Sequence, residues 1–228
     1  TYLRIADNGC GMSAEDAPVA FRRHATSKLR TEEDLNAIGT LGFRGEALAA
    51  ISSVTRIDLF TRQAGSIAGL HLHLEAGEIQ TQEEAGCPEG TTIVVRDLFF
   101  NTPARRKFLK TDGTEFAHCS EVFTRIALAS PHCTFKLFHQ NKVSAHYPAT
   151  DWKNRISDVL ANTLPEHCIW VDEASGEFNL TGMIFPADAA RARADTQYAY
   201  VNQRYVRDKV VSHAIRASYA DVLHHQRH

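Results

Sequence analysis

Asp7 closes a short alternating apolar run, Tyr2-Leu3-Arg4-Ile5-Ala6, and opens the string Asp7-Asn8-Gly9-Cys10-Gly11-Met12. An ionised carboxylate accepts hydrogen bonds and donates none. Set against a purine, Asp7 matches the exocyclic amine of adenine and opposes the carbonyl that guanine carries there. Leaving such a carboxylate buried and unpaired costs about 1–3 kcal/mol or more, which gives a physical basis for preferring ATP over GTP. Gly9 and Gly11 let the backbone turn tightly and approach a ligand without side chains in the way. Taken alone, Asp-Asn-Gly is also an ordinary turn.

The second half of a nucleotide site comes in Leu41-Gly42-Phe43-Arg44-Gly45-Glu46-Ala47-Leu48. Free N–H groups at a helix start favour an anion, and glycines let a loop fold round phosphates. Arg44 reaches a phosphate or pins the loop through a carboxylate. Glu46 would repel phosphates, so it is expected to hold the loop by hydrogen bonds. Between the halves, in His24-Ala25-Thr26-Ser27-Lys28, Lys28 is a mobile point charge suited to phosphate, or a solvated surface lysine. In Gly90-Thr91-Thr92, the Thr91 hydroxyl bonds Asp7 or a water on the base, or simply favours a strand. A Walker-type Gly-Lys-Ser/Thr ending is absent.

These groups must be positioned by regular elements. Strands are expected over 2–6, 57–61, 67–74 and 92–98. Ser13 and Asp16 form a capping box for a helix carrying Ala17, Ala20 and Phe21. Residues 24–44 read as a long loop with a short helical piece, and 45–52 as a buried helix. Asn101-Thr102-Pro103 starts a short basic helix. Phe116, Cys119, Phe123, Ile126 and Ser130 make a helical stripe ending at Pro131. Strands near 134–139 and 142–147 turn at Gln140-Asn141, and a domain boundary is expected at Tyr147-Pro148-Ala149-Thr150. Beyond it lie a helix with Ile156, Val159 and Leu160, a hairpin around Ser175-Gly176, two short strands (198–201 and 205–206), and a last helix capped by Asp208. Helix and strand mix without steady alternation, so the class is α+β.

The 228 residues fit one large domain or two small ones, and 43% hydrophobic residues suffice for a core. A formal charge of −2 gives no global pull toward nucleic acid or membrane. Five scattered cysteines without a C-x-x-C pair argue for a reducing compartment and against a zinc site. The twelve histidines lack metal spacing and read as surface or core residues. No apolar run is long enough to span a bilayer, and no signal peptide is visible. Without an initiator Met, and stopping at Leu223-His224-His225-Gln226-Arg227-His228, the chain reads as a piece of something longer.

The strings 7–12, 24–28, 41–48 and 90–92, followed by Asn101-Thr102-Pro103-Ala104-Arg105-Arg106-Lys107-Phe108-Leu109, stand in the order of the MutL family of DNA mismatch repair proteins, which the chain resembles along essentially its whole length. That family belongs to the GHKL ATPases, with gyrase B subunits, heat-shock chaperones and histidine kinases. Tyr200-Val201-Asn202 and His213-Ala214-Ile215-Arg216 are similar to the family's second domain.

The resemblance implies a GHKL-type ATP-binding sandwich, an antiparallel sheet layered with helices, over 1–147. Part of a second α/β domain of ribosomal-protein-like type would occupy 148–228. It assigns ATP and Mg²⁺ as cofactors and implies a nucleotide-binding set of Asp7, Gly9, Gly11, Met12, Thr26, Ser27, Lys28, Gly42, Phe43, Arg44, Gly45, Glu46 and Thr91. ATP would order a lid and pair two N-terminal regions into a homodimer, coupling mismatch recognition by a MutS-type protein to a downstream endonuclease and helicase in the bacterial cytoplasm. Arg105, Arg106 and Lys107, with Arg204, Arg207 and Arg216, would bind the DNA backbone without reading bases; alternatively they are solvated arginines and lysines. The family's general-base Glu and Mg²⁺-binding Asn precede the Asp7 motif, and a phosphate-reaching Lys lies beyond the second-domain strings. Nothing in Thr1–Ala6 replaces the first two, so this stretch alone is expected to hydrolyse ATP negligibly. Competing readings are a type II topoisomerase ATPase subunit and a nucleotide-gated scaffold with little turnover.

Overall fold

The computed structural model describes residues 1–25, 45–161, 164–190 and 197–222. They pack as two compact units, Thr1–Lys110 and Thr111–His228. The first unit is built on a five-stranded antiparallel sheet of order β1-β5-β2-β3-β4. Its strands are β1 (Tyr2–Asp7), β2 (Arg56–Arg62), β3 (Gly69–Glu75), β4 (Glu78–Ala85) and β5 (Gly90–Arg96). Three short helices accompany them: α1 (Asp16–Val19), α2 (Ala47–Ser52) and α3 (Pro103–Arg106).

Alternation in β2 and β3 sends Ile57, Leu59, Leu70, Leu72 and Leu74 to one face, where they are buried with Ala17 and Phe21. Met12, Leu48, Ile93 and Val95 pack against that cluster. Register then fixes the site. Thr91 lies opposite Asp7 on one side and Thr61 on the other, so the three form a row on the core face. Half of the expected capping box is present: Asp16 N–H donates to Ser13 Oγ at 3.0 Å, but Asp16 Oδ2 accepts from the Ser13 hydroxyl at 2.8 Å rather than from its backbone N–H.

β4 is an element that the sequence pattern does not announce. Its residues are nearly all exposed and it lies at the sheet edge, where charged side chains discourage pairing with other chains. The turn into it is carried by Ala76 and Gly77, both at positive φ. Ile67, expected in a strand, is fully exposed before β3 begins at Gly69.

The second unit holds α4 (Asp112–Ala129), β6 (Phe135–His139), β7 (Lys142–Tyr147), α5 (Trp152–Leu160), β8 (Ile169–Ser175), β9 (Phe178–Ile184), β10 (Ala199–Val201), β11 (Arg204–Val206) and α6 (Lys209–Ser218). Asp208 caps α6 as expected, accepting from Val210 and Val211 N–H at 2.8 and 3.0 Å. Gln140 and Asn141, both at positive φ, make the β6–β7 turn. The expected boundary near Tyr147 does not coincide with a gap between compact units; α4, β6 and β7 pack with α5. The physical reason is Arg155, which is fully buried. Its guanidinium donates to the carbonyls of Ala127, Pro131, Cys133 and Pro148 at 2.7, 3.1, 2.8 and 2.7 Å. The rings of Phe135 and Tyr147 lie 5.5 and 5.9 Å from it. α4, the two strands and α5 are thereby tied to one side chain.

Candidate nucleotide site

Asp7 stands at the end of β1 with its carboxylate committed, among the described residues, on one side only. Oδ1 accepts from Gly9 N–H at 2.9 Å and from Thr91 N–H at 3.1 Å. Among the described residues Oδ2 takes no hydrogen bond. An exposed carboxylate with one oxygen fixed by main-chain donors and the other free is suited to accept from an amine of fixed geometry. The expected contact from the Thr91 hydroxyl is not made. Thr91 reaches Asp7 through its backbone, while its hydroxyl lies 3.2 Å from Thr61 Oγ1.

Thr61 is the residue that the sequence did not single out. Its hydroxyl is buried, accepts from Met12 N–H at 2.8 Å and lies 3.2 Å from the Gly90 carbonyl. It joins the Asp-Asn-Gly turn, β2 and β5 at one atom. The available signal was a threonine ending the apolar positions of β2, which alternation alone reads as ordinary strand composition.

The glycines are required by close approach. Gly11 sits at φ +66°, where a Cβ would run into the Arg62 carbonyl, and Gly90 at φ +100°, where it would run into the Asp7 carbonyl. A Cβ at either position meets main chain, so both the conformation and the space exclude other residues. Arg62 is fixed in turn, donating to the carbonyls of Cys87 and Ser66 at 2.7 and 3.1 Å.

Of the expected phosphate residues, Gly45 and Glu46 are described. Gly45 has φ +60° and abuts the Ala25 backbone, which brings the two ends of the 25–45 stretch together. Glu46 Oε1 lies 3.5 Å from His24 Nδ1, both exposed. Thr26, Ser27, Lys28, Gly42, Phe43 and Arg44 lie outside the described residues.

The expected DNA-binding residues divide between the units. Arg105, Arg106 and Lys107 are exposed on α3 and just after it. In the second unit a cavity of about 610 Å³ is lined by Arg207 and Arg216, with Arg125, Tyr205, Lys209 and His213. Arg207 donates to the Tyr205 hydroxyl at 3.1 Å and to Glu121 at 3.2 Å. Arg204 is half-buried on β11.

Two family models match. One, for histidine kinase-, DNA gyrase B- and HSP90-like ATPases, covers residues 1–96; the other, for the C-terminal domain of DNA mismatch repair proteins, covers 156–228. The MutL protein of Thiobacillus denitrificans is 46% identical over 98% of this chain, and that of Neisseria meningitidis serogroup A is 43% identical over 97%. The chain belongs to the MutL family.

It spans 38% and 34% of the lengths of those two MutL relatives. Among solved structures, an Aquifex aeolicus MutL ATPase domain complexed with ADP matches with a TM-score of 0.68 at 26% identity, over 95% of this chain and 75% of that one. The N-terminal domain of a DNA repair protein matches in fold, with a TM-score of 0.76 at 22% identity, over 97% of this chain and 72% of that one. The GHKL-type α+β architecture expected from the MutL motifs is therefore the observed one. No described helix is long and apolar enough to cross a membrane.

Proposed function

We propose that this stretch is the nucleotide-binding part of a mismatch repair switch driven by ATP. Asp7 recognises the adenine amine through Oδ2, while Gly9, Gly11 and Met12 line the base. Thr91 and Thr61 hold the carboxylate and its loop. Thr26, Ser27, Lys28 and the Gly42–Glu46 segment, with Phe43 and Arg44, grip the phosphates and close as a lid. ATP favours the closed state by differential affinity and pairs two N-terminal regions; hydrolysis releases them. In this way mismatch recognition by a MutS-type partner is coupled to a downstream endonuclease and helicase in the cytoplasm. The observation that carries the reading is the half-satisfied Asp7 carboxylate fixed by two main-chain amides.

Mg²⁺ is the proposed companion of the triphosphate, neutralising its charge when bound. Among the described residues no three His, Cys, Asp or Glu side chains stand together to hold a metal, so its coordination would come chiefly from phosphate oxygens and water. Hydrolysis also needs a positioned water, and Thr1–Ala6 contain no carboxylate to orient one. Residues 1–228 alone are therefore proposed to turn over ATP negligibly, and the parent protein to hydrolyse it. Light scattering of the full-length protein should show its mass double with a non-hydrolysable ATP analogue. Failure to take up nucleotide would overturn the switch. Metal-dependent turnover by residues 1–228 equal to that of the parent would overturn the division of labour.

A non-specific DNA-backbone role for Arg105, Arg106, Lys107, Arg204, Arg207 and Arg216 is favoured by the exposed basic turn at α3 and the arginine-lined cavity. Lys107→Glu should weaken DNA binding and lower the salt slope by about one; an unchanged slope removes Lys107 from the proposal.

A further inference from the structure

Arg62 ends β2 and meets the frame of the Asp7 loop with both its main chain and its side chain. It pairs with Gly90 across the sheet, and its carbonyl occupies the space that a Cβ on Gly11 would need. The side chain is 24% exposed and runs to two turns. Nε donates to the Cys87 carbonyl at 2.7 Å and Nη1 to the Ser66 carbonyl at 3.1 Å. Nη1 also lies 3.7 Å from the exposed Glu89 carboxylate, an ion pair of little worth in water. Two carbonyls at two angles suit the fork of a guanidinium, whereas a lysine ammonium offers one nitrogen for both.

What these bonds fix is the entry to β5. The β2–β3 turn is itself closed, with Ser66 N–H donating to the Gln63 carbonyl at 3.2 Å. Cys87 opens the stretch Cys87-Pro88-Glu89-Gly90, and its Sγ is seated so close to Gly69 that a Cβ there would run into it. Gly90 then turns at φ +100° beside the Asp7 carbonyl. The next amide, Thr91 N–H, is one of the two donors on Asp7 Oδ1, at 3.1 Å. The other, Gly9 N–H, belongs to the turn that Asp7 itself begins. Of the two, Thr91 N–H is the donor that ties the carboxylate to the sheet, and Arg62 holds the strand entry that carries it.

We propose that Arg62 is a positioning residue for purine discrimination: it holds the Cys87–Gly90 turn so that Thr91 N–H keeps Asp7 Oδ2 aimed at the base. The inference rests on the reading of Asp7 as the adenine acceptor and adds the side chain that sets its angle. A hydrogen bond weakens steeply as its geometry departs from linear. A loosened Thr91 amide therefore costs the contact with the adenine amine. The phosphates, which both purine nucleotides share, are held elsewhere and feel nothing. Loss of Arg62 should thus read as lost selectivity and not as a general loss of nucleotide binding.

The test is calorimetric titration of the full-length protein with non-hydrolysable analogues of ATP and GTP. Arg62→Lys keeps the charge and most of the stem, so it should fold even where Arg62→Ala does not. It should lower the preference for the adenine analogue about tenfold, within the range of couplings between contacting groups, and leave the affinity for the guanine analogue unchanged. In the Asp7→Asn background the same change should have no further effect on the preference, because the group it acts through is gone. A full preference in Arg62→Lys, with the preference lost in Asp7→Asn, overturns this proposal alone. An equal weakening of both analogues makes Arg62 a general support and overturns it too, as does an additive loss in the double variant. Asp7→Asn with its adenine preference intact overturns the acceptor reading itself, and this proposal with it.

Discussion

Asp7 and Arg155 are both charged groups held by the main chain, and they are held in opposite ways. Arg155 is wholly buried and its guanidinium is turned onto four carbonyls within 3.1 Å from the end of α4, the loop before β6 and the exit from β7. Enclosed on all sides, it offers nothing to a ligand. Asp7 is exposed, and among the described residues only Oδ1 is used, by two backbone N–H groups. One arrangement closes a structure and the other leaves an acceptor aimed by the fold but unspent. The difference teaches that a charge fixed by the backbone is a structural tie when the fold encloses it, and that the proposed recognition role of Asp7 rests on the capacity that the described residues leave open.

The comparison breaks most visibly at Arg155. Arg155→Ala strands several buried carbonyls at about 1–3 kcal/mol each. The second unit should lose on the order of 4 kcal/mol, read by denaturant titration. An unchanged midpoint would mean that the carbonyls find water and that the tie is not structural.

Gly11→Ala comes next. A Cβ at φ +66° against the Arg62 carbonyl should destabilise the first unit by about 1–3 kcal/mol and displace the Asp7 loop. Thermal unfolding measures the first effect and nucleotide affinity the second. Thr61→Val is gentler in shape but leaves Met12 N–H without its acceptor, so a loss of about 1–2 kcal/mol is expected. Full stability in that variant would remove Thr61 from the site's support.

The smallest effect concerns the opposite face of the sheet. Asp58 Oδ1 bonds His71 Nε2 and His73 Nδ1 at 3.0 Å each, Arg96 pairs with Asp58 Oδ2, and His71 Nδ1 meets Glu83 at 3.0 Å. Burial disfavours the charged form of His71, but its bonds with Glu83 and Asp58 outweigh that and hold its pKa above the ordinary histidine value. Burial likewise raises the Asp58 pKa, and the bonds from His71, His73 and Arg96 outweigh it, so the net shift is downward. A raised histidine stabilises below its unfolded pKa and loses that as pH rises through the folded one. A depressed carboxylate stabilises above its unfolded pKa and loses that as pH falls through the folded one. Stability of the first unit from this network should therefore be greatest between about pH 4 and pH 6.5 and decline on either side. His71→Gln should flatten the upper limb of that profile.

Much of the site was legible because its chemistry is local. Asp7, Gly9 and Gly11 are neighbours in sequence, and the turn demands their types. The Ser13–Asp16 contact, the turn at Gln140-Asn141 and the cap at Asp208 are likewise short-range signals. What escaped was long-range or carried no periodicity. Thr61 meets Met12 across 49 residues, and nothing in a strand ending in threonine announces that. β4 is an exposed charged edge, so it lacks the apolar alternation by which strands are read. Arg155 looks like any helical arginine until α4, β6 and β7 fold around it. For that reason a boundary drawn at Tyr147-Pro148 on composition falls inside a compact unit.

Asp7→Asn is the sharpest test of the central claim. The amide keeps Oδ1 as an acceptor for Gly9 and Thr91 N–H, so the loop should stand, but it replaces the free oxygen with a donor. Isothermal titration of the full-length protein should show ATP affinity falling about 10- to 100-fold with discrimination against GTP lost, at an unchanged melting temperature. Wild-type ATP affinity with the preference for adenine intact would contradict the account.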